Sequence, residues 1–167
     1  MRFSLLPKAM TNALTDLTPQ YLQSQGIRLL MLDFDNTVLP YTCNIPDEKT
    51  KLWLQNMKDA GILLCVVSNS RKNRAREFCA QWDIACVCDA RKPFSKGICR
   101  CLKQHGVQAH AAALVGDQIF TDTLGANCAG VRSILVKPIY NHNFWLKLRH
   151  TAEKPFIFLA RNRRISR

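Results

Sequence analysis

The stretch Leu29-Leu30-Met31-Leu32-Asp33-Phe34-Asp35-Asn36-Thr37 decides how this chain of 167 residues is read. A continuous Leu/Met run reads as a strand buried on both faces, and it stops at two carboxylates. Like charges at the end of a buried strand cost folding energy unless something binds between them. A divalent cation meets that need. Oxygen-only ligands favour a hard ion such as Mg2+, and an open α/β sheet places its ligand at the carboxyl ends of its strands. Taken alone, Asp33 and Asp35 fit turn and cap roles equally well, because Asx-type capping is common.

Three further apolar runs end in polar clusters. Ile62 to Val67 leads into Ser68-Asn69-Ser70, whose hydroxyls and amide suit a phosphate. A short run before Asp89 is followed by Lys92-Pro93, and Ala112 to Val115 leads into Gly116-Asp117 and, a turn later, Asp122. Each cluster has a structural alternative. Ser68 suits a helix N-cap, Lys92 a solvated lysine, and Asp117 and Asp122 the caps of a helix that Gly130 ends. If the strands are parallel, however, all four clusters converge on one crevice, and that joint placement outweighs the separate alternatives.

The order Asp33-Phe34-Asp35-Asn36-Thr37, Ser68-Asn69, Lys92-Pro93, Gly116-Asp117-Gln118-Ile119-Phe120-Thr121-Asp122 resembles the haloacid dehalogenase (HAD) superfamily of aspartate-nucleophile phosphatases. Val67-Ser68-Asn69, Ala90-Arg91-Lys92-Pro93 and Gly116-Asp117-Gln118, with a basic tail, are similar to the YqeG-type branch and the related mitochondrial phosphatidylglycerophosphate phosphatases. The resemblance implies Asp33 as nucleophile and Asp35 as acid and then base. Mg2+ would be held by Asp33, Asp35 (through its carbonyl) and Asp117, with Asp122 orienting them. Phosphate would be bound by Asn36, Thr37, Ser68, Asn69 and Lys92. It also implies that an uncapped member accepts a bulky phosphate, such as that of a lipid head group.

The rest of the chain agrees with one α/β domain, Rossmann-like, with a five-stranded parallel sheet and helices on both faces. Predicted helices span 19–25, 47–60, 71–82, 95–105 and 121–129; predicted strands span 28–34, 62–67, 84–88, 112–115 and 133–136. Residues 38–46 leave room only for a loop, so no cap domain is expected. Residues 1–146 are read as the phosphatase domain and 147–167 as a basic, aromatic C-terminal tail.

Charge and cysteine content bear on partners and compartment. Twenty-four Lys and Arg against twelve Asp and Glu give +12, a field that attracts polyanions or anionic membranes. The tail holds Lys147, Arg149, Lys154, Arg161, Arg163, Arg164 and Arg167 against Glu153 alone, interleaved with Phe144, Trp145, Phe156 and Phe158. That pattern fits an interfacial segment on anionic lipid, and equally apolar residues packed on the core ahead of a solvated end. Eight cysteines lie in predicted core elements without a Cys-x-x-Cys pair, so reduced thiols are expected. The four histidines show no zinc-ligand spacing with them. No signal peptide or spanning run is evident, which suggests a cytoplasmic protein, peripheral to the inner membrane if the tail binds lipid. Other readings are a nucleic-acid or nucleotide phosphatase and a non-catalytic phosphate- or RNA-binding module such as a receiver domain; the position of the acidic pair on the first predicted strand argues against the receiver.

Overall fold

The Leu29–Leu32 run is an interior strand of a parallel sheet in the computed structural model, which describes residues 3–71, 73–139 and 153–165. The strands are β1 (Ala9–Thr11), β2 (Leu29–Leu32), β3 (Leu63–Val67), β4 (Ala85–Val87), β5 (Ala112–Gly116) and β6 (Arg132–Val136), in the order β1-β6-β5-β2-β3-β4. The helices are α1 (Pro19–Ser24), α2 (Glu48–Asp59), α3 (Arg74–Gln81), α4 (Lys96–His105) and α5 (Leu124–Ala129). Leu30 and Leu32 pack in one layer with Leu22, Leu54, Met57 and Phe78, while Leu29 and Met31 pack in the other with Ile98, Cys101 and Ala126. A strand covered on both faces has no solvent side to make polar, which explains the unbroken apolar run. Truncating such a leucine to alanine costs about 2–5 kcal/mol.

The sheet order reverses direction between β2 and β5. Chain order runs outward through β3 and β4 on one side and through β5 and β6 on the other, so the crevice lies where these two strands end. Asp33 N–H donates to Val115 O at 2.9 Å across this junction, which brings the residues after β2 and β5 side by side. Between β2 and α2 the described chain holds turns and one isolated bridge, Asp35 to Leu39.

Two expectations are corrected. The sheet has six strands, because Ala9–Thr11 pairs in parallel with β6, Met10 opposite Leu135. Three residues with no apolar alternation carry no strand signal of their own; the edge of β6 supplies it. The helix expected over 121–129 starts as a π-helical turn, Ile119–Thr123, before α5. In it Asp122 N–H and Thr123 N–H both donate to Gln118 O, at 3.0 and 3.2 Å.

Much of the stretch read as a tail packs on the sheet edge. Residues 153–159 are helical, and Phe156 and Ile157 pack against Met10, Ile119, Leu135 and Ala160. Phe158 and Leu159 are exposed. Ile165 N–H then donates to Met10 O at 2.8 Å. Phe144 to Leu148 lie outside the described residues. All eight cysteines are free thiols, and Cys86 and Cys88 bring their sulfurs to 3.1 Å on one face of the β4 edge.

The start of α2 generates a stability prediction. Asp47 caps this helix, accepting from Thr50 N–H at 2.8 Å, and hydrogen bonds from Thr50, side chain first and backbone second, hold its carboxyl below the ordinary range. Asp47→Ala is expected to cost about 1 kcal/mol, a fall of about 2–4 °C in Tm at neutral pH. Because the folded pKa is depressed, this stability is present above the unfolded carboxylate pKa of about 3.9 and is lost as pH falls through the folded value. Tm measured from pH 7 to pH 3 should show the gap between wild type and variant closing below about pH 4.

Candidate active site

Four strand ends meet around a buried ammonium. Lys92 Nζ lies 2.6 Å from Asp33 Oδ1 and 2.7 Å from Asp122 Oδ1, and its side chain is 1% exposed. Asp117, at the end of β5, completes a buried group: one carboxylate oxygen each from Asp33, Asp117 and Asp122 lie within 4.8 Å of one another. Three carboxylates gathered in one buried crevice repel one another, and such a group is stabilised by bound positive charge. Burial pushes the Asp33 carboxyl up, to about 7, with Asp122 and Asp35 adding to the rise and Lys92 opposing it. Burial also works against the Lys92 ammonium, but the carboxylates of Asp122 and Asp33 outweigh it, so that its pKa is raised. The donor set fits a hard divalent cation, being carboxylate oxygen throughout.

Each member is held by its local structure. Asn69 Oδ1 accepts from Lys92 N–H at 2.6 Å and its Nδ2 donates to Lys92 O at 2.9 Å. Asn69 was expected to contact phosphate; its side chain instead fixes the backbone of the lysine that faces the site. Ser68 follows β3, buried, and its Oγ accepts from Ser70 N–H at 3.1 Å in a local turn; it does not cap the next helix, which starts at Arg74 with Asn73 at the N-cap position. Asn36 adopts φ 65°, a left-handed conformation that Asn tolerates, and turns the chain back so that its N–H reaches Leu39 O at 2.7 Å. Thr37 is 2% exposed and its Oγ1 has no partner among the described residues. A buried hydroxyl left unpaired costs about 1–3 kcal/mol. It opens onto a groove of about 300 Å³ lined also by Asn12, Lys49, Lys137 and Ile139. A neighbouring cavity of about 120 Å³, sharing Asn12, Lys137 and Pro138, runs past Asp117 to Ile157 and Arg164.

Asp122 is built in through a missing side chain. A Cβ on Gly116 would stand 2.4 Å from Asp122 Cγ, so only glycine lets the carboxylate lie against β5. Its Oδ2 accepts from Gln118 N–H at 3.1 Å, closing the π-helical turn.

Two residues at the site lay outside the sequence reading. Glu153, buried, accepts from Ile119 N–H at 2.8 Å and pins the C-terminal segment to the turn that carries Asp122; its only sequence signal was to be the sole acid in a basic stretch. Arg74 Nη1 donates to Asp35 Oδ1 at 2.5 Å. Away from the site, Cys65, Cys101 and His105 also bring ligand atoms within 4.8 Å, which corrects the expectation that no histidine is spaced to a cysteine. Cys101 and His105 are one helical turn apart on α4 and meet Cys65 of β3. His105 Nδ1 lies 2.9 Å from Cys101 O, and the Cys65 thiol is pushed up by its contact with Cys101 and by burial.

The sequence profile of the family described as Mitochondrial PGP phosphatase matches residues 2–139. The chain belongs to the mitochondrial PGP phosphatase family. It is 30% identical over 136 residues to the Bacillus subtilis (strain 168) protein named Probable phosphatase YqeG, covering 80% of this chain and 78% of that protein. Among solved structures, the cobalt-bound deoxy-D-mannose-octulosonate 8-phosphate phosphatase of Haemophilus influenzae superposes with TM-score 0.54 at 14% identity, over 81% of this chain and 90% of that one. A HAD-superfamily hydrolase of Ehrlichia chaffeensis gives TM-score 0.53 at 16% identity, over 77% and 97%. These structures share the fold. This PGP phosphatase family member is thus a phosphatase with the fold of that HAD-superfamily hydrolase, and the crevice at the β2/β5 junction is its candidate active site.

Packing of the family member's Gly116 against Asp122 is testable. Gly116→Ala should cost about 1–3 kcal/mol, and Asp122→Ala added to it should be less than additive, since removing the carboxylate removes the clash. A thermal-denaturation cycle of the four proteins that gave simple additivity would refute the contact.

Proposed function

We propose that this protein is a Mg2+-dependent phosphomonoesterase that works through an aspartyl-phosphate on Asp33, with a phospholipid head-group phosphate such as phosphatidylglycerophosphate as its substrate. The observation that carries this reading is the buried group of Asp33, Asp117 and Asp122, with the Lys92 ammonium set between Asp33 and Asp122. Lys92 holds Asp33 Oδ1, which leaves Oδ2 to attack phosphorus in line as the P–O bond to the alcohol breaks. Asp35 gives its proton to the departing oxygen. It then takes one from the water that attacks the acyl phosphate, which releases inorganic phosphate and restores Asp33. Ser68 and Thr37 hydroxyls and the Lys92 ammonium meet the charge on the phosphoryl oxygens. Asp33, Asp117 and the Asp35 carbonyl would hold Mg2+, whose charge offsets repulsion between carboxylate and phosphate.

The lipid assignment has its own support. The groove beside Thr37 joins apolar walls to Lys49 and Lys137, which suits an amphiphile carrying a second anion. Exposed Tyr41 and Ile45 follow β2, and exposed Phe94 follows β4, its N–H donating to Arg91 O at 2.9 Å. On the C-terminal segment, exposed Phe158 and Leu159 adjoin Arg161, whose guanidinium lies 4.7 Å from the Phe158 ring centroid. Apolar side chains beside cations fit peripheral contact with an anionic membrane. No helix among the described residues is long and apolar enough to cross one.

Turnover should be measured with Mg2+ on phosphatidylglycerophosphate, a nucleotide, a sugar phosphate and a phosphopeptide. The lipid is expected to turn over fastest, with Asp33→Asn lowering kcat about 10³-fold or more at unchanged Tm. Equal turnover by the variant would remove the nucleophile, and preference for the nucleotide would replace the substrate class. Millimolar Mg2+ should raise the wild-type Tm and leave that of Asp117→Asn unmoved; equal shifts would displace the cation from this site. Sedimentation with phosphatidylglycerol vesicles should weaken in a Phe158→Ser, Leu159→Ser double variant, and undiminished binding would refute the membrane contact.

A further inference from the structure

Arg74 opens α3, six residues after Ser68, yet its guanidinium is spent on the loop that follows the Asp33 strand. Nη1 donates to Asp35 Oδ1 at 2.5 Å, Nε donates to Asn44 Oδ1 at 2.6 Å, and Nη2 donates to the carbonyls of Pro40 and Cys43. The guanidinium carbon stands 5.0 Å from the Phe34 ring centroid, and that ring packs at 5.3 Å on Phe78 of the same helix. The side chain is only 18% exposed. Four acceptors from separate points of one loop thus converge on one rigid fork, with an aromatic platform beneath it.

The loop also carries contacts of its own, among them Cys43 Sγ donating to Ile45 O at 3.1 Å. Residues 41–45 are exposed, and its own backbone contributes a long hydrogen bond, Cys43 N–H to Pro40 O at 3.3 Å. Fixing such a segment costs conformational entropy, which the Arg74 contacts offset. Because the same guanidinium grips Asp35, loop order and carboxylate position are coupled through one side chain.

We propose that Arg74 is a positioning residue of the phosphatase reaction: through Oδ1 it sets the Asp35 carboxyl so that the other oxygen carries the proton to the leaving oxygen, and it ties the 40–44 loop to α3. The inference rests on the proposed role of Asp35 in proton transfer. Its consequence depends on the leaving group. An alkyl alcohol must be protonated as it leaves, whereas p-nitrophenolate departs without a proton, so in the step that forms the aspartyl-phosphate, which kcat/KM reports, loss of positioning is felt by the first and not by the second; hydrolysis of the shared intermediate feels it with both.

The test uses the full chain with Mg2+, comparing kcat/KM on phosphatidylglycerophosphate and on p-nitrophenyl phosphate for wild type, Asp35→Asn, Arg74→Ala and Arg74→Lys. Arg74→Ala is expected to lose about tenfold or more activity on the alkyl ester beyond its loss on the aryl ester, in the direction shown by Asp35→Asn. Guanidinium chloride at about 20 mM should recover part of the alkyl-ester loss in Arg74→Ala and none in Asp35→Asn, since the added ion replaces the missing fork. Arg74→Lys keeps the charge and the stem over Phe34, so it should stay folded while showing the same selective loss; it also carries the test if Arg74→Ala does not fold. Equal losses on both esters in the Arg74 variants, or full activity in Arg74→Lys, would overturn the positioning role alone. Equal losses in Asp35→Asn, or a wild type inert towards both esters, would overturn the reading of the site and the Arg74 role with it.

Discussion

The ammonium of Lys92 between Asp33 and Asp122 is the interaction on which the rest of the site depends. It joins the residue after β2 to the turn after β5, and it arrives from the connection after β4, whose backbone is held by Asn69 at the end of β3. Every strand that borders the crevice is therefore cross-linked through one buried charge. Removing one partner of such a buried ion pair typically costs about 3–5 kcal/mol, because the remaining charges lose their counter-ion in a medium that cannot solvate them. The same gathering of carboxylates is what a bound cation would offset. The feature that threatens the fold is thus the one that gives the crevice its chemistry.

Two edges of the molecule support this centre from outside. On one, Glu153 and the residues after it press on Ile119 and β1, holding the π-helical turn that presents Asp122. Helical irregularities of this kind recur at functional sites because they redirect one side chain without ending the helix. On the other, Arg74 ties the loop after Asp35 to α3. Both supports come from residues remote in sequence from the motif they serve, Glu153 from the chain's far end and Arg74 from the next βα unit. Neither carries a recognisable pattern of its own.

The family's signatures were legible because they sit at fixed offsets from strand ends, where an apolar run stops. Asp33, Ser68, Lys92 and Asp117 all followed from that rule, and all four are buried at the carboxyl edge. Asn69 shows the limit of reading by type. An amide beside a phosphate-binding serine looks like a ligand, but which way it turned depended on where the Lys92 backbone lay, 23 residues on. The spacing of Cys101 and His105 is local and could have been seen; that Cys65 faces them depended on the packing of α4 over β3.

The amino-acid sequence by itself determined the parallel α/β class, the order of strands and helices from β2 to β6, and the identity of the acidic cluster. Each of these rests on periodicity, glycine and proline punctuation or residue chemistry, all local in the chain. Only the tertiary structure decided that Ala9–Thr11 is a sixth strand, that 153–165 belongs to the sheet edge, and that Arg74 grips Asp35. An edge strand of three residues takes its hydrogen bonds from a partner more than a hundred residues away, and a guanidinium chooses among acceptors by geometry. Long-range pairing energy of that kind leaves no periodic trace in the chain that carries it.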